Sequence, residues 1–188
     1  MRTVSRHRIA VCAALAILVA PGLAGCATKP TPAPSHTAAA TDAPVFASDE
    51  EALAAATKAY AAYLKASDAI SNDGGENPKR IAPFVAPSLL KSELEGFAGY
   101  SSAGAHSVGS TTFVVSSIQG IAADNTSGTS ISLYICEDVS DLDVVDSKGV
   151  SLVSPSRRPL TPFEVRFEGG ADTIVLGYRE VWEGRSFC

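Results

Sequence analysis

Basic side chains are the first shortage. The 188 residues hold 15 Lys and Arg against 20 Asp and Glu, a net charge of -5, and the basic residues form no stripe anywhere. Nucleic-acid affinity is carried mainly by Lys and Arg neutralising phosphates, so a nucleic-acid partner is not expected. Long apolar runs are missing as well: none reaches 18 residues, which excludes a conventional spanning helix. Histidine is limited to His7, His36 and His106. Neither a Ser-His-Asp spacing, nor a phosphate loop, nor a dinucleotide glycine motif can be found, and no cofactor is expected. What is present is 46% hydrophobic, too much for a wholly disordered chain and enough for one small domain with additional segments.

The N-terminal segment reads as an address. Arg2, Arg6 and Arg8 precede the apolar run Ile9 to Ala20, the charged and hydrophobic regions of an export signal, and Pro21-Gly22 breaks the helix. Leu23-Ala24-Gly25-Cys26 follows and resembles the lipobox of bacterial lipoproteins. The resemblance implies cleavage before Cys26, a diacylglyceryl group on its thiol, and a membrane partnership through that anchor on the outer face of the cell membrane. Two acyl chains hold stably where one is marginal. Cys12 then belongs to the discarded segment. Loss of residues 1–25 removes three basic residues and no acid, leaving 12 against 20 and a net charge of -8. Residues 26–47, with Pro30, Pro32, Pro34 and Pro44 among Ala and Thr, are expected to be a disordered tether that stands the domain off by roughly 25 Å. A lone His36 in such a tether is expected to be solvated and not functional.

Residues 48–188 are expected to fold. Ser48 and Glu51 form a capping box ahead of Leu53, Ala56, Tyr60, Tyr63, Leu64, Ser67 and Ile70 at helical spacing, and Gly74-Gly75 ends that helix. Asn77-Pro78 predicts a cap and a short helix to about Ala82. Pro87-Ser88 starts another helix carrying Leu89, Leu90, Leu94 and Phe97. Gly99 to Ser110 reads as a Gly/Ser/Ala loop. The period then changes to two. Strands are predicted over Thr111 to Ile121, around Ile131, Leu133 and Ile135, over Leu142 to Val145, around Phe163, Val165 and Phe167, and over Thr173 to Glu183. Val150 to Pro162 is an excursion, and Gly169-Gly170-Ala171-Asp172 a hairpin connection. In the last strand Ile174, Leu176, Tyr178, Glu180 and Trp182 share one parity. Helices followed by an antiparallel meander give an α+β fold, N-terminal helices packed on a curved sheet.

This order, together with Asp73-Gly74-Gly75, Asn77-Pro78, Cys136-Glu137-Asp138-Val139-Ser140 and the closing Trp182-Glu183-Gly184-Arg185-Ser186-Phe187-Cys188, resembles uncharacterised actinobacterial lipoproteins with a nuclear transport factor 2-like domain. That superfamily also contains ketosteroid-isomerase-like enzymes. The resemblance covers roughly residues 48 to 188 and implies a cone-shaped domain, with Ile81 to Val85 as the stretch available for a small strand between the second and third helices. Homodimers are common in the superfamily.

Within the domain Cys136 and Cys188 are the remaining cysteines. Export would place them in an oxidising compartment, where an even pair is expected to be bridged, tying the C-terminal tail to the second long strand. Cone-fold isomerases hold a carboxylate against an apolar interior, which makes it a usable base. Glu164 and Glu168 alternate with apolar residues and should face water, whereas Glu180 has the inward parity and is the weak catalytic candidate. The acids Glu137, Asp138, Asp141, Asp143 and Asp146 invite a calcium reading, but Leu152 stands where the twelfth ligand of an EF-hand loop is needed. They are expected to form a solvated strand edge, with no metal. Tyr60, Tyr63, Tyr178 and Trp182 are the candidates for touching a ligand, with plain core as their ordinary role. Two functions follow: a non-catalytic, lipid-anchored module that binds a small apolar ligand or an envelope protein, and an isomerase- or dehydratase-like enzyme using a buried carboxylate.

Overall fold

The computed structural model describes residues 45–124, 128–170 and 172–188. The expected signal segment, Cys26, His36, Asn125-Thr126-Ser127 and Ala171 lie outside them. Folding starts earlier than the composition predicts, since Phe46 is buried and Val45 packs beside it. These are the two large apolar residues at the end of an otherwise Ala/Thr/Pro stretch, and the core takes them.

Helix α1 spans Asp49–Asn72. Half of its capping box forms, Ser48 Oγ accepting from the Glu51 N–H at 3.3 Å, while Glu51 Oε2 accepts from the Ala47 N–H at 2.8 Å, one residue ahead of the cap. Ala52, Ala56, Tyr60, Tyr63, Leu64 and Ile70 form its buried stripe. Gly75 has φ +80°, and a Cβ there would lie 2.2 Å from the Phe97 carbonyl oxygen. A glycine is therefore required for the chain to turn directly beneath the next helix.

Pro78–Phe84 form a 3-10 helix, and α2 runs Pro87–Ala103. Asn77 does not cap with its side chain; it takes the left-handed conformation at φ 49° instead. The small strand implied over Ile81 to Val85 is reduced to one parallel bridge, Val85 to Leu176, alongside an Ala86 N–H to Leu176 O bond of 2.8 Å. The loop predicted from Gly99 is corrected: α2 continues to Ala103 and ends at Gly104 in the left-handed conformation, with the Ala105 N–H on the Tyr100 carbonyl. That six-to-one bond is a Schellman closure, which satisfies the last turn despite its Ser and Gly content. Strand β1, His106–Val108, follows, so His106 sits in a strand.

Four strands form one antiparallel sheet in the order β2 (Thr112–Asp124), β3 (Gly128–Asp138), β5 (Leu160–Gly169), β6 (Val175–Val181). Strand β4, Asp143–Val145, pairs with β1 in a separate two-stranded sheet and not with the main one. Strand β5 begins inside the expected excursion, at Leu160. The alternation in β3 and β5 is as predicted, with Ile131, Leu133, Ile135, Phe163, Val165 and Phe167 facing the helices. In β2 the register slips twice, between Val115 and Ser117 and between Ile118 and Gly120. The slips space the inward residues Val115, Ile118 and Ile121 three apart, and such bulges bend a strand. The result is an α+β fold in which α1, the 3-10 helix and α2 cover the concave face of a curved sheet.

The outer face carries a second, smaller layer. Cys136 and Cys188 form a disulfide with a Cα–Cα distance of 5.5 Å. Tyr134 lies between Trp182, with ring centroids 4.7 Å apart, and Phe187, stacked at 5.2 Å. The bridge fastens the C-terminal tail to β3, as the sequence predicts.

Candidate functional site

Strand β6 corrects the sequence reading most sharply. Its register against β5 slips between Arg166 and Phe167: Leu176 pairs with Phe167, but Tyr178 pairs with Arg166. Gly177 is the extra residue, a bulge that reverses parity for everything after it. Leu176 stays fully buried, while Tyr178 turns outward to meet Arg166, whose guanidinium lies 5.1 Å from its ring centre. Glu180 is exposed and faces Glu164, and Trp182 joins Tyr134 on the outside. The inward position belongs to Arg179, opposite Val165.

The buried carboxylate is Glu137. Residue 137 continues the parity of Ile131, Leu133 and Ile135, so β3 carries it inward, and it is 4% exposed. It is thus not part of a solvated acidic edge. Arg179 Nη2 donates to both of its oxygens at 2.8 and 2.7 Å, and Nε donates to Oε1 at 3.2 Å. Tyr60, fully buried from α1, donates its hydroxyl to Glu137 Oε1 and accepts from Arg179 Nε at 3.0 Å. The Phe163 ring lies 3.8 Å from the guanidinium carbon, a cation–π contact. Tyr60 also packs edge-on against Phe113 and Phe167, centroids 4.9 and 6.0 Å away.

These groups interlock chemically. Burial opposes the charge on Arg179, but Tyr60, Glu137 and Tyr63 around it outweigh that and hold the guanidinium charged. Burial pushes the Tyr60 phenol well above its usual range, with Arg179 opposing, so its proton stays on and serves as a donor. A charge pair removed from water survives only where its partners satisfy it, and this one has a bidentate ion pair, a phenol and a ring.

Next to this pair the cone opens. A cleft of about 310 Å³ lies between α1, α2 and the sheet, reached by Arg179, Glu137, Glu93 and Tyr63. Tyr63, 3% exposed, donates its hydroxyl to Glu93 at 3.1 to 3.2 Å. Burial raises the Glu93 carboxyl, against the opposing Tyr63 hydrogen bond and Arg179 charge. Glu93 lies four residues after Leu89 and four before Phe97, on the inward face of α2, a spacing that could have found it. Asp68 also borders the cleft but is committed to the Thr111 N–H at 2.9 Å and hydroxyl at 3.1 Å. The deeper cone is filled by Tyr60, Phe167, Leu133 and Ile81. Of the four aromatic candidates, Tyr63 lines the cleft, Tyr60 is fully buried on Glu137, and Tyr178 and Trp182 lie outside. Among the described residues no three His, Cys, Asp or Glu converge to hold a metal, and no helix is long and apolar enough to cross a membrane.

No protein-family model and no curated protein matches the chain. Solved structures are similar in backbone outline. The intermembrane-space region of the chloroplast protein ARC6 aligns with a TM-score of 0.48 at 10% identity, covering 69% of this chain and 95% of that one. A Catenulispora acidiphila protein aligns with a TM-score of 0.41 at 14% identity, covering 71% and 91%. A structure from the same organism in complex with S-DNPA gives 0.38 at 12% identity, covering 70% and 92%.

Proposed function

We propose that the protein is a lipid-anchored, extracytoplasmic binding module of a bacterial cell envelope, held through Cys26 and acting without catalysis. The observation that carries the non-catalytic part is the state of Glu137. Both Glu137 oxygens accept from Arg179 and Oε1 also accepts from the Tyr60 hydroxyl, which leaves this carboxylate unavailable as a base. Glu93, which keeps acceptor capacity toward the cleft, is a ligand contact in this proposal, and its use as a base in an isomerase- or dehydratase-like enzyme is the competing reading. With the cone interior filled, the cleft at its mouth is the place beside the buried pair where a ligand could reach these polar groups. The nuclear transport factor 2-like assignment and the actinobacterial lipoprotein group belong to the same proposal, resting on the segments named above. So does the anchor, which rests on Leu23-Ala24-Gly25-Cys26 following a charged and then apolar leader.

Fractionation and native mass spectrometry test it together. Wild type expressed in a bacterial host should sediment with membranes and incorporate labelled palmitate, whereas Cys26→Ser should take up no label. Equal labelling of the variant would remove the anchor. Native mass spectra of the extracted protein should show a retained small molecule or a partner chain, and would report a homodimer in the same measurement. Bare monomer throughout would count against a binding role.

A further inference from the structure

The cleft at the cone mouth is lined by a particular balance of charge and hydrogen-bonding capacity. Arg179 spends Nε and Nη2 on Tyr60 and Glu137, while its Nη1 makes no hydrogen bond to any described residue. The side chain is 24% exposed, against 5% for Glu137. Glu93 faces the same cleft, its two oxygens sharing a single hydroxyl proton from Tyr63 and so keeping further acceptor capacity. Ser67 and Tyr100 line it too, and neither hydroxyl is bonded to a described residue.

From this balance we infer that the cleft takes one unit of a neutral polyhydroxylated ligand, a monosaccharide or the end of a glycan, gripped between the Arg179 guanidinium and the Glu93 carboxylate. The inference rests on the binding role proposed above and names its ligand class. A planar donor group beside a planar acceptor group is matched by two neighbouring hydroxyls, each of which can accept from one and donate to the other. Charge excludes the singly charged competitors. An anion drawn to Nη1 would meet Glu93 and the Glu137 carboxylate that already balances the guanidinium. An ammonium drawn to Glu93 would be placed beside Arg179. A ligand carrying a single charge meets a like charge at one of the two side chains, whereas a neutral polyhydroxylated ligand meets neither, a zwitterion being the remaining competitor on charge. A cleft of about 310 Å³ is at the small end of ligand pockets, sized for one sugar ring and not an extended chain.

Gly96 supplies a clean block. It lines the cleft on the same face of α2 as Glu93, and a Cβ added there meets nothing within 4 Å. Gly96→Leu therefore adds bulk at the cleft wall without a backbone clash while replacing a helix-interior glycine by a better helix former. Saturation-transfer NMR on the detergent-solubilised full-length protein would use methyl glucoside and N-acetylglucosamine as neutral probes, ethanolamine as the ammonium and acetate as the anion. At least one sugar should give a saturable signal that Gly96→Leu abolishes and Glu93→Gln weakens about ten-fold, the loss of one charge-assisted hydrogen bond. Circular dichroism should show both variants folded. No saturable signal from either sugar, or one that Gly96→Leu leaves intact, overturns the inference. Saturable binding of ethanolamine or acetate alone, blocked by Gly96→Leu, overturns the sugar class yet retains a binding module; silence from all four probes together with bare protein in the native mass spectra sinks both.

Discussion

At the scale of single residues, the fold depends on how one buried charge pair is satisfied. Glu137 and Arg179 lose water together, and removing either partner leaves the other stranded. Glu137→Gln should therefore cost about 3 kcal/mol in urea denaturation, near the lower end for breaking a buried pair, because Tyr60 and Phe163 still touch the guanidinium. A loss below about 1 kcal/mol, the level of a surface pair, would mean that water reaches Arg179 freely. Glu93 should behave oppositely. Its carboxyl is raised by burial, so its folded-state value lies above the unfolded one. Such a group favours the folded protein below the unfolded value, about 4.3, and that contribution is lost as pH rises through the folded value. Glu93→Gln keeps the Tyr63 hydrogen bond and removes the buried charge. Its stability should exceed wild type at pH 7, with the gap closing toward pH 4; a pH-independent difference would refute the assignment. Both glutamates were legible in the sequence by phase, Glu137 with Ile131, Leu133 and Ile135 and Glu93 with Leu89 and Phe97. Chemical type concealed them, because a carboxylate is ordinarily solvated unless a buried partner, distant in the chain, satisfies it.

At the scale of elements, α1 could be read with its cap and most of its stripe because every signal there is local. Ser48, Glu51 and residues three or four apart define a helix without help from the rest of the chain. The strands were readable only while their alternation stayed uninterrupted. A bulge adds one residue to one strand, and nothing near Gly177 announces it except the glycine itself. The consequence was a complete exchange of faces after that point, placing Arg179 in the core and Glu180 outside. The same effect in β2 spaces Val115, Ile118 and Ile121 like a helix face while the chain remains extended. The bulge in β6 also leaves a testable imbalance. Glu180 now sits directly across from Glu164, and like charges in that position destabilise a sheet. Glu180→Lys should raise stability by about 0.5 kcal/mol, and added salt should shrink the gain. Should Glu180→Lys instead destabilise by a kilocalorie or more, the carboxylate would have to face the interior, as unbroken alternation had predicted.

At the scale of the whole domain, the concave face is held by helices and the convex face by a tail. The helical side is large and apolar, built on residues such as Tyr60, Phe167, Leu133 and Ile81. The tail side is thin: Trp182 and Phe187 on Tyr134, with the Trp182 N–H on the Pro162 carbonyl at 2.8 Å. Aromatic pairs of this kind contribute about 1 kcal/mol each beyond their burial, too little to order seven terminal residues against their conformational entropy. The disulfide changes that balance by closing a loop with a sequence separation of 52, which in the chain-entropy treatment is worth roughly 4 kcal/mol. Cys188→Ser should therefore act at two levels. Global stability should fall by about 2 to 4 kcal/mol in urea denaturation, while below the transition the sheet and helices should remain, since no residue of α1, α2 or the concave core is altered. The tail should loosen first, and the chain carries its own reporter: Trp182 is the single tryptophan. In Cys188→Ser, or in wild type under reductant, Trp182 emission should shift to longer wavelength as it leaves Tyr134, with far-ultraviolet circular dichroism unchanged. Emission that stays put after reduction would show that the aromatic stack holds the tail unaided, leaving the bridge to act only on the unfolded chain.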